Sequence, residues 1–427
     1  MIMGENFFER YFGVLVVFVL LSAFFVSVLG FVFATNCSLG DAEECMLSKE
    51  NLMPDFYWHY NTIKYVAAYG EFPFEVPGFC DGGPNGDLGP DGELCGPLKG
   101  MYHSPLYYFL GAGVFNIADS FEISNLLVLH SLTIIIIAIT NLLFLLLLIE
   151  LARRYKLDKK FIIFSLAIFA FLPVHLFYGA MVYDGVLYYP FLIATIYMFV
   201  RLYEKSNLRN SIALGLVAGL SLLSFLAGVM SFIAMGILFV SLYLKKKYYK
   251  AKFLFLSMVI GSVVGAYPFI RNFLTFGNPM GPFLNEIFAT DLFRIPLYFN
   301  AFWGGIYGGV DSLFIPLVFS SLFLTLLTFY SIFKNFKKVK ELRFVLLVAL
   351  LSMFFLIHLS CNLLDLIKTG VCTGRFGHGK YLISLNPIIA IYSSLLLVNI
   401  KKFKTLIAIL VFLILIVFSV DFLFALR

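Results

Sequence analysis

Long apolar runs recur along the chain, separated by short basic clusters and by longer polar stretches. Roughly 20 consecutive apolar residues are needed to cross the hydrocarbon core of a bilayer, and runs of that order are expected near 11–34, 124–151, 161–182, 186–203, 210–224, 227–244, 252–270, 313–333, 343–361, 380–399 and 404–425. The first, Tyr11–Ala34, is too long for the apolar core of a cleaved signal peptide and reads as a retained anchor. Pro105–Ala118 (PLYYFLGAGVFNIA) is apolar but short, about 14 residues, and reads as an interfacial or re-entrant helix. The alternative, an ordinary span, would move the next basic cluster to the opposite side.

The connectors decide the orientation. Arg153-Arg154-Tyr155-Lys156 with Lys159-Lys160, Arg201 to Arg209, Lys245-Lys246-Lys247, Lys334 to Arg343 and Lys401-Lys402-Lys404 all fall on one side if the N-terminus is cytoplasmic, as the positive-inside rule requires. Composition agrees with the pattern: mean hydropathy is +0.93 and 13% of residues are charged, about half the share of a soluble domain. The net charge of +6 is therefore a topology signal and not a nucleic-acid signal. The expectation is one membrane domain over 1–427, all α, with about 11 spans in the cell membrane and three extracytoplasmic loops at 35–123, 271–312 and 362–379. Long loops rich in Gly, Pro, Asp and aromatic residues are where function concentrates.

The cysteines test this sidedness independently. Cys37, Cys45, Cys80, Cys95, Cys361 and Cys372 all lie in the extracytoplasmic stretches or at a span's outer edge. An even number on the oxidising face favours disulfides, with Cys361–Cys372 one plausible pair and the connectivity of the other four open. A zinc site is the rival, but the C-x-x-C spacing typical of zinc is absent. The Asp- and Gly-rich segment Cys80–Cys95 lacks the ligand spacing of a calcium loop and reads as a turn-rich loop.

Charges at a bilayer cost a few kcal/mol each, so each needs a reason. In Pro54-Asp55-Phe56-Tyr57-Trp58-His59-Tyr60, a helix would put Asp55 and His59 on one face. An Asp near a His, rimmed by aromatic residues, suits general-base chemistry on a hydroxyl acceptor. A solvated amphipathic helix with interfacial aromatics is the plainer alternative. His103 precedes the short helix that carries Tyr107, and Asp184 lies in a tight turn between two spans. Arg271, Arg375 and Lys380 are three cations at the outer ends of spans. Any one could be a snorkelling anchor. Arg binds phosphate bidentately and Lys adds a point charge, so together they could hold a lipid phosphate.

With these residues in place, the chain resembles the GT-C superfamily of glycosyltransferases, in particular the protein O-mannosyltransferases, the bacterial aminoarabinose transferases and their prokaryotic relatives. Asp55 followed by His59 and then YVAAYGEFP resembles the family's first loop. The family's H-P-P-L-Y-Y resembles His103-Ser104-Pro105-Leu106-Tyr107-Tyr108, and its W-Y-x-R-N-x-x-x-Y-G-x-P-x-G resembles Tyr267 to Gly281, with Arg271-Asn272 at its centre. Its G-R-Y-L-x-P-x-x-P resembles Gly379-Lys380-Tyr381-Leu382 through Pro387. The matches occur in order over residues 1–400.

The resemblance implies a sugar carried on a polyprenyl or dolichyl phosphate and transferred, with inversion, at the extracytoplasmic face. Asp55 would be the base, assisted by His59, and Arg271 and Lys380, with Arg375, would neutralise the leaving lipid phosphate. His103, Tyr107, Asp184, Asn272 and Glu71 would contact substrate. The implied partners are the lipid-linked donor, membrane lipid and an acceptor that is protein, lipid or glycan, with no nucleic acid. A divalent metal is left open. Three positions depart from the pattern: the usual Asp-Glu pair is Asp55-Phe56, Leu223-Ser224-Phe225 lacks the usual Lys, and Lys380 replaces Arg. Glu71 or Glu75 would have to supply a second carboxylate. With no large soluble domain after the last span, acceptor recognition would rest on the loops. The alternatives are a lipid or solute transporter or flippase, and a GT-C-like lipid-binding protein without activity.

Overall fold

The computed structural model describes residues 9–34, 56–72, 104–179, 182–277, 279, 315–335, 343–351, 383–399 and 413–419. Within them the chain is helical, without strands. The helices are α1 (Phe12–Ala34), α2 (Phe56–Tyr69), α3 (Leu106–Ser120), α4 (Asn125–Tyr155), α5 (Lys159–Phe171), α6 (Pro173–Gly179), α7 (Gly185–Glu204), α8 (Leu208–Ser224), α9 (Val229–Leu244), α10 (Tyr248–Gly265), α11 (Tyr267–Phe276), α12 (Ile315–Asn335) and α13 (Asn386–Asn399). Further helical residues lie at 343–351 and 413–419.

Among the described residues four helical segments are long and apolar enough to cross a membrane: Phe12–Leu29, Asn125–Tyr155, Gly185–Glu204 and Leu226–Leu244. A fifth results if the bent pair α10–α11 counts as one span. Several expected spans run into stretches outside the described residues. α1 explains why such a helix needs lipid. Val16, Val19 and Ala23 are buried, while Val14, Val17, Phe18, Leu21 and Phe25 are exposed, so apolar side chains cover both the packed and the open face. The chain is a multi-pass membrane protein.

Two expected spans are broken. The run at 161–182 divides at Leu172 into α5 and α6, because Pro173 has no N–H to continue the ladder. The run at 252–270 bends by 48° between α10 and α11, where Pro268 occupies the first turn of α11. The short helix α3, 15 residues, falls below spanning length, as the sequence indicated.

Small residues set a close contact between α8 and α10. Ser211, Gly215 and Gly219 of α8 face Ser257, Gly261 and Gly265 of α10, and a Cβ added at Gly215 would stand 2.7 Å from the Ser257 carbonyl. Ser211 Oγ donates to the Phe253 carbonyl at 2.6 Å. Helices in lipid associate through such close backbone approach, since apolar side chains gain little by leaving lipid for one another.

Charge is divided between the two ends of the bundle. At one end Arg153 of α4 pairs with Glu150 at 2.7 Å and with Glu204 of α7 at 2.9 Å. Lys250, near the start of α10, donates to the Tyr203 carbonyl at 2.7 Å and lies 4.2 Å over the Tyr203 ring. The C-termini of α4 and α7 therefore sit beside the N-terminus of α10. The N-terminus of α7 and the C-terminus of α10, with α11 beyond it, lie at the other end.

Candidate functional site

Asp184 precedes α7 at that other end and is fully buried, with no side-chain cap to the helix it begins. Gly185 follows it, where a Cβ would overlap the Tyr183 ring, so glycine lets Tyr183 fold back over the helix start. α2 delivers His59, 1% exposed, to the same place. His59 Nε2 lies 4.0 Å from Asp184 Oδ1, and His59 Nδ1 lies 2.8 Å from the Tyr108 hydroxyl. The imidazole thus stands between a carboxylate and a phenol, stacked at 5.8 Å on Tyr108 and edge-on at 5.1 Å to Tyr183. An imidazole oriented in this way can pass a proton between its two nitrogens.

The same tyrosine leads to the cation. Gly70, at φ +70°, ends α2 and turns the chain so that Phe72 is buried, 5.4 Å from the Tyr108 ring. Arg271 lies with its Cζ 4.7 Å over the Phe72 ring and is 5% exposed. Its Nη2 and Nε donate to Asn272 Oδ1 at 3.0 and 3.3 Å. α11 is inverted relative to a soluble helix: Arg271 and Asn272 are buried, while Tyr267, Ile270, Phe273 and Leu274 are exposed. Lipid as the outer solvent accounts for this, since the polar face then turns toward the site.

The sequence-derived residues divide accordingly. His59, Asp184, Tyr107, Arg271 and Asn272 come together in this buried cluster. Burial pushes the Tyr107 phenol above its ordinary range, and the Asp184 carboxylate adds to that effect. Glu71 sits on the exposed rim just after α2. Asp55, His103, Arg375, Lys380, Glu75 and the six cysteines lie outside the described residues. Among the described residues no three His, Cys, Asp or Glu side chains group to hold a metal ion. Sequence reasoning passed over Tyr108 as a site residue. It stands beside Tyr107 in the quoted motif, and its role emerges only once α2 and α3 are packed together. It also passed over Phe72, which carries the guanidinium.

No protein-family model and no curated protein matches the sequence. Solved structures do match, and what they show is the fold, which resembles that of the GT-C membrane glycosyltransferases. One is ArnT from Cupriavidus metallidurans bound to undecaprenyl phosphate, with a TM-score of 0.55 and 13% identity over 93% of this chain and 62% of ArnT. Another is the Archaeoglobus fulgidus oligosaccharyltransferase tethered to an acceptor peptide containing the NVT sequon, with a TM-score of 0.53 and 14% identity over 99% of this chain and 56% of that enzyme. The chain thus spans less than two thirds of the length of either.

Proposed function

We propose that this protein is a membrane glycosyltransferase that takes a sugar from a polyprenyl or dolichyl phosphate and passes it to an acceptor at the extracytoplasmic face. The observation that carries the reading is the inverted helix α11, which holds a buried Arg271 one aromatic ring away from the His59–Asp184–Tyr108 cluster. A guanidinium at the lipid boundary has the charge and planar fork that bind phosphate bidentately, and a lipid phosphate is the anion a bilayer supplies. ArnT, which shares the fold, was solved with undecaprenyl phosphate.

In this reading Asp55, which directly precedes α2, removes the acceptor proton, and the acceptor oxygen attacks the anomeric carbon as the bond to phosphate breaks. His59, held between Asp184 and Tyr108, assists that proton transfer. Arg271, with Lys380 and Arg375, takes up the charge on the departing lipid phosphate. Basic connectors at the end opposite Arg271 support a cytoplasmic N-terminus and an outward-facing site.

A structure of the full chain with undecaprenyl phosphate bound tests this. The phosphate is expected against Arg271, with its chain along the exposed apolar face of α11. A phosphate bound elsewhere in the bundle would overturn the assignment.

A further inference from the structure

α2 carries a feature that the reaction itself does not use. Tyr65 and Tyr69 are one helical turn apart, with ring centroids 4.6 Å apart and planes inclined at 40°. Tyr69 is 66% exposed and Tyr65 partly so. Glu71 follows the Gly70 turn, also exposed, and its carboxylate acts on the Tyr65 phenol, which burial first and then Glu71 push above its ordinary range. One residue further on, the chain dives inward as Phe72, which bears Arg271. The two rings and the carboxylate therefore form a rim leading directly to the proposed phosphate-binding cation.

The chemistry of this rim selects its ligand. Exposed aromatic rings offer flat apolar faces, on which the C–H faces of a pyranose can lie. A neighbouring carboxylate accepts hydrogen bonds from hydroxyl groups. Lys64 precedes the pair and Ala67 and Ala68 lie between the two tyrosines in sequence, as a lipid-facing belt would have, but Glu71 repels the phosphates of headgroups and accepts from hydroxyl groups, which favours a glycan. We propose that Tyr65, Tyr69 and Glu71 form a subsite for a hydroxyl-rich glycan, so that the acceptor is a carbohydrate. This rests on the glycosyltransferase reading above and names the acceptor class for it.

The test uses the full chain in zwitterionic nanodiscs on a printed array of oligosaccharides, with undecaprenyl phosphate binding measured in parallel. The wild type is expected to retain a subset of glycans. Tyr69→Ala is expected to weaken that retention roughly two- to tenfold, and Tyr65→Ala/Tyr69→Ala to abolish it, with lipid-phosphate binding and melting temperature unchanged. Wild-type levels of glycan retention by the double variant would overturn the subsite. So would a wild type that retains no glycan while still binding lipid phosphate, or variants that lose only their hold on the bilayer. Absence of lipid-phosphate binding by the wild type would instead sink the glycosyltransferase reading.

Discussion

Replacing Arg271 by leucine separates structure from function at the centre of the site. The guanidinium lies 4.7 Å over Phe72 and 5% exposed, a cation–π contact worth about 2 kcal/mol when desolvated. Its bonds to Asn272 add to that, and the several kcal/mol spent holding a charge away from water offset part of the gain. Leucine keeps an apolar contact with Phe72 but loses the cation–π contact and the Asn272 bonds, so stability should fall by at least about 1–2 kcal/mol. A charge-assisted hydrogen bond to phosphate is worth about 1.5–3 kcal/mol, which is about a tenfold to 150-fold loss of affinity. Native mass spectrometry of the protein with undecaprenyl phosphate gives the affinity, and a thermal melt in the same detergent gives the stability. Arg271→Lys should fall between, because it keeps the charge and loses the planar fork. Wild-type affinity in a folded Arg271→Leu variant would refute the reasoning.

Other outcomes follow from the same geometry. Gly219→Val places a Cβ 2.7 Å from the Gly261 carbonyl and 2.6 Å from Val264 Cβ, so α8 and α10 must separate, lowering stability by about 1–3 kcal/mol in a detergent melt. An unchanged melt would contradict that contact. Tyr108→Phe removes the hydroxyl 2.8 Å from His59 Nδ1, which should cost about 1–3 kcal/mol while leaving undecaprenyl phosphate affinity intact. A parallel loss of affinity would mean that the phosphate reaches further than Arg271. Because burial raises the Tyr107 phenol, the unfolded chain ionises first as pH rises past about 10, and stability present below that pH declines above it. Tyr107→Phe should flatten this alkaline decline, and a melt series at rising pH that shows the same slope would contradict it.

The order of apolar runs and basic clusters was enough to expect a helical membrane protein, and it placed α1, α3 and α7 within a few residues. The breaks at Pro173 and Pro268 were visible as prolines, but run length outweighed them, so two single spans were expected where the chain interrupts one helix at Leu172 and bends the other between α10 and α11. In the site, Arg271 and Asp184 stood out as charges at span ends. Their burial was not legible, because it depends on α11 turning its polar face inward and on Tyr183 folding over Gly185. Tyr108 and Phe72 looked like ordinary interfacial aromatics. Only the packing of α2 on α3 makes them the link between His59 and Arg271.

The central claim is transfer, and Asp55 is where it is most exposed. In proteoliposomes supplied with radiolabelled polyprenyl-phosphate sugars and glycan acceptors, the wild type should move label to acceptor, and Asp55→Asn should lose about 10²- to 10⁴-fold of that rate while still binding the lipid phosphate. Transfer at the wild-type rate by Asp55→Asn would contradict the assigned base. A wild type that binds lipid phosphate yet moves no label would mark the chain as a lipid-binding relative and contradict the account as a whole.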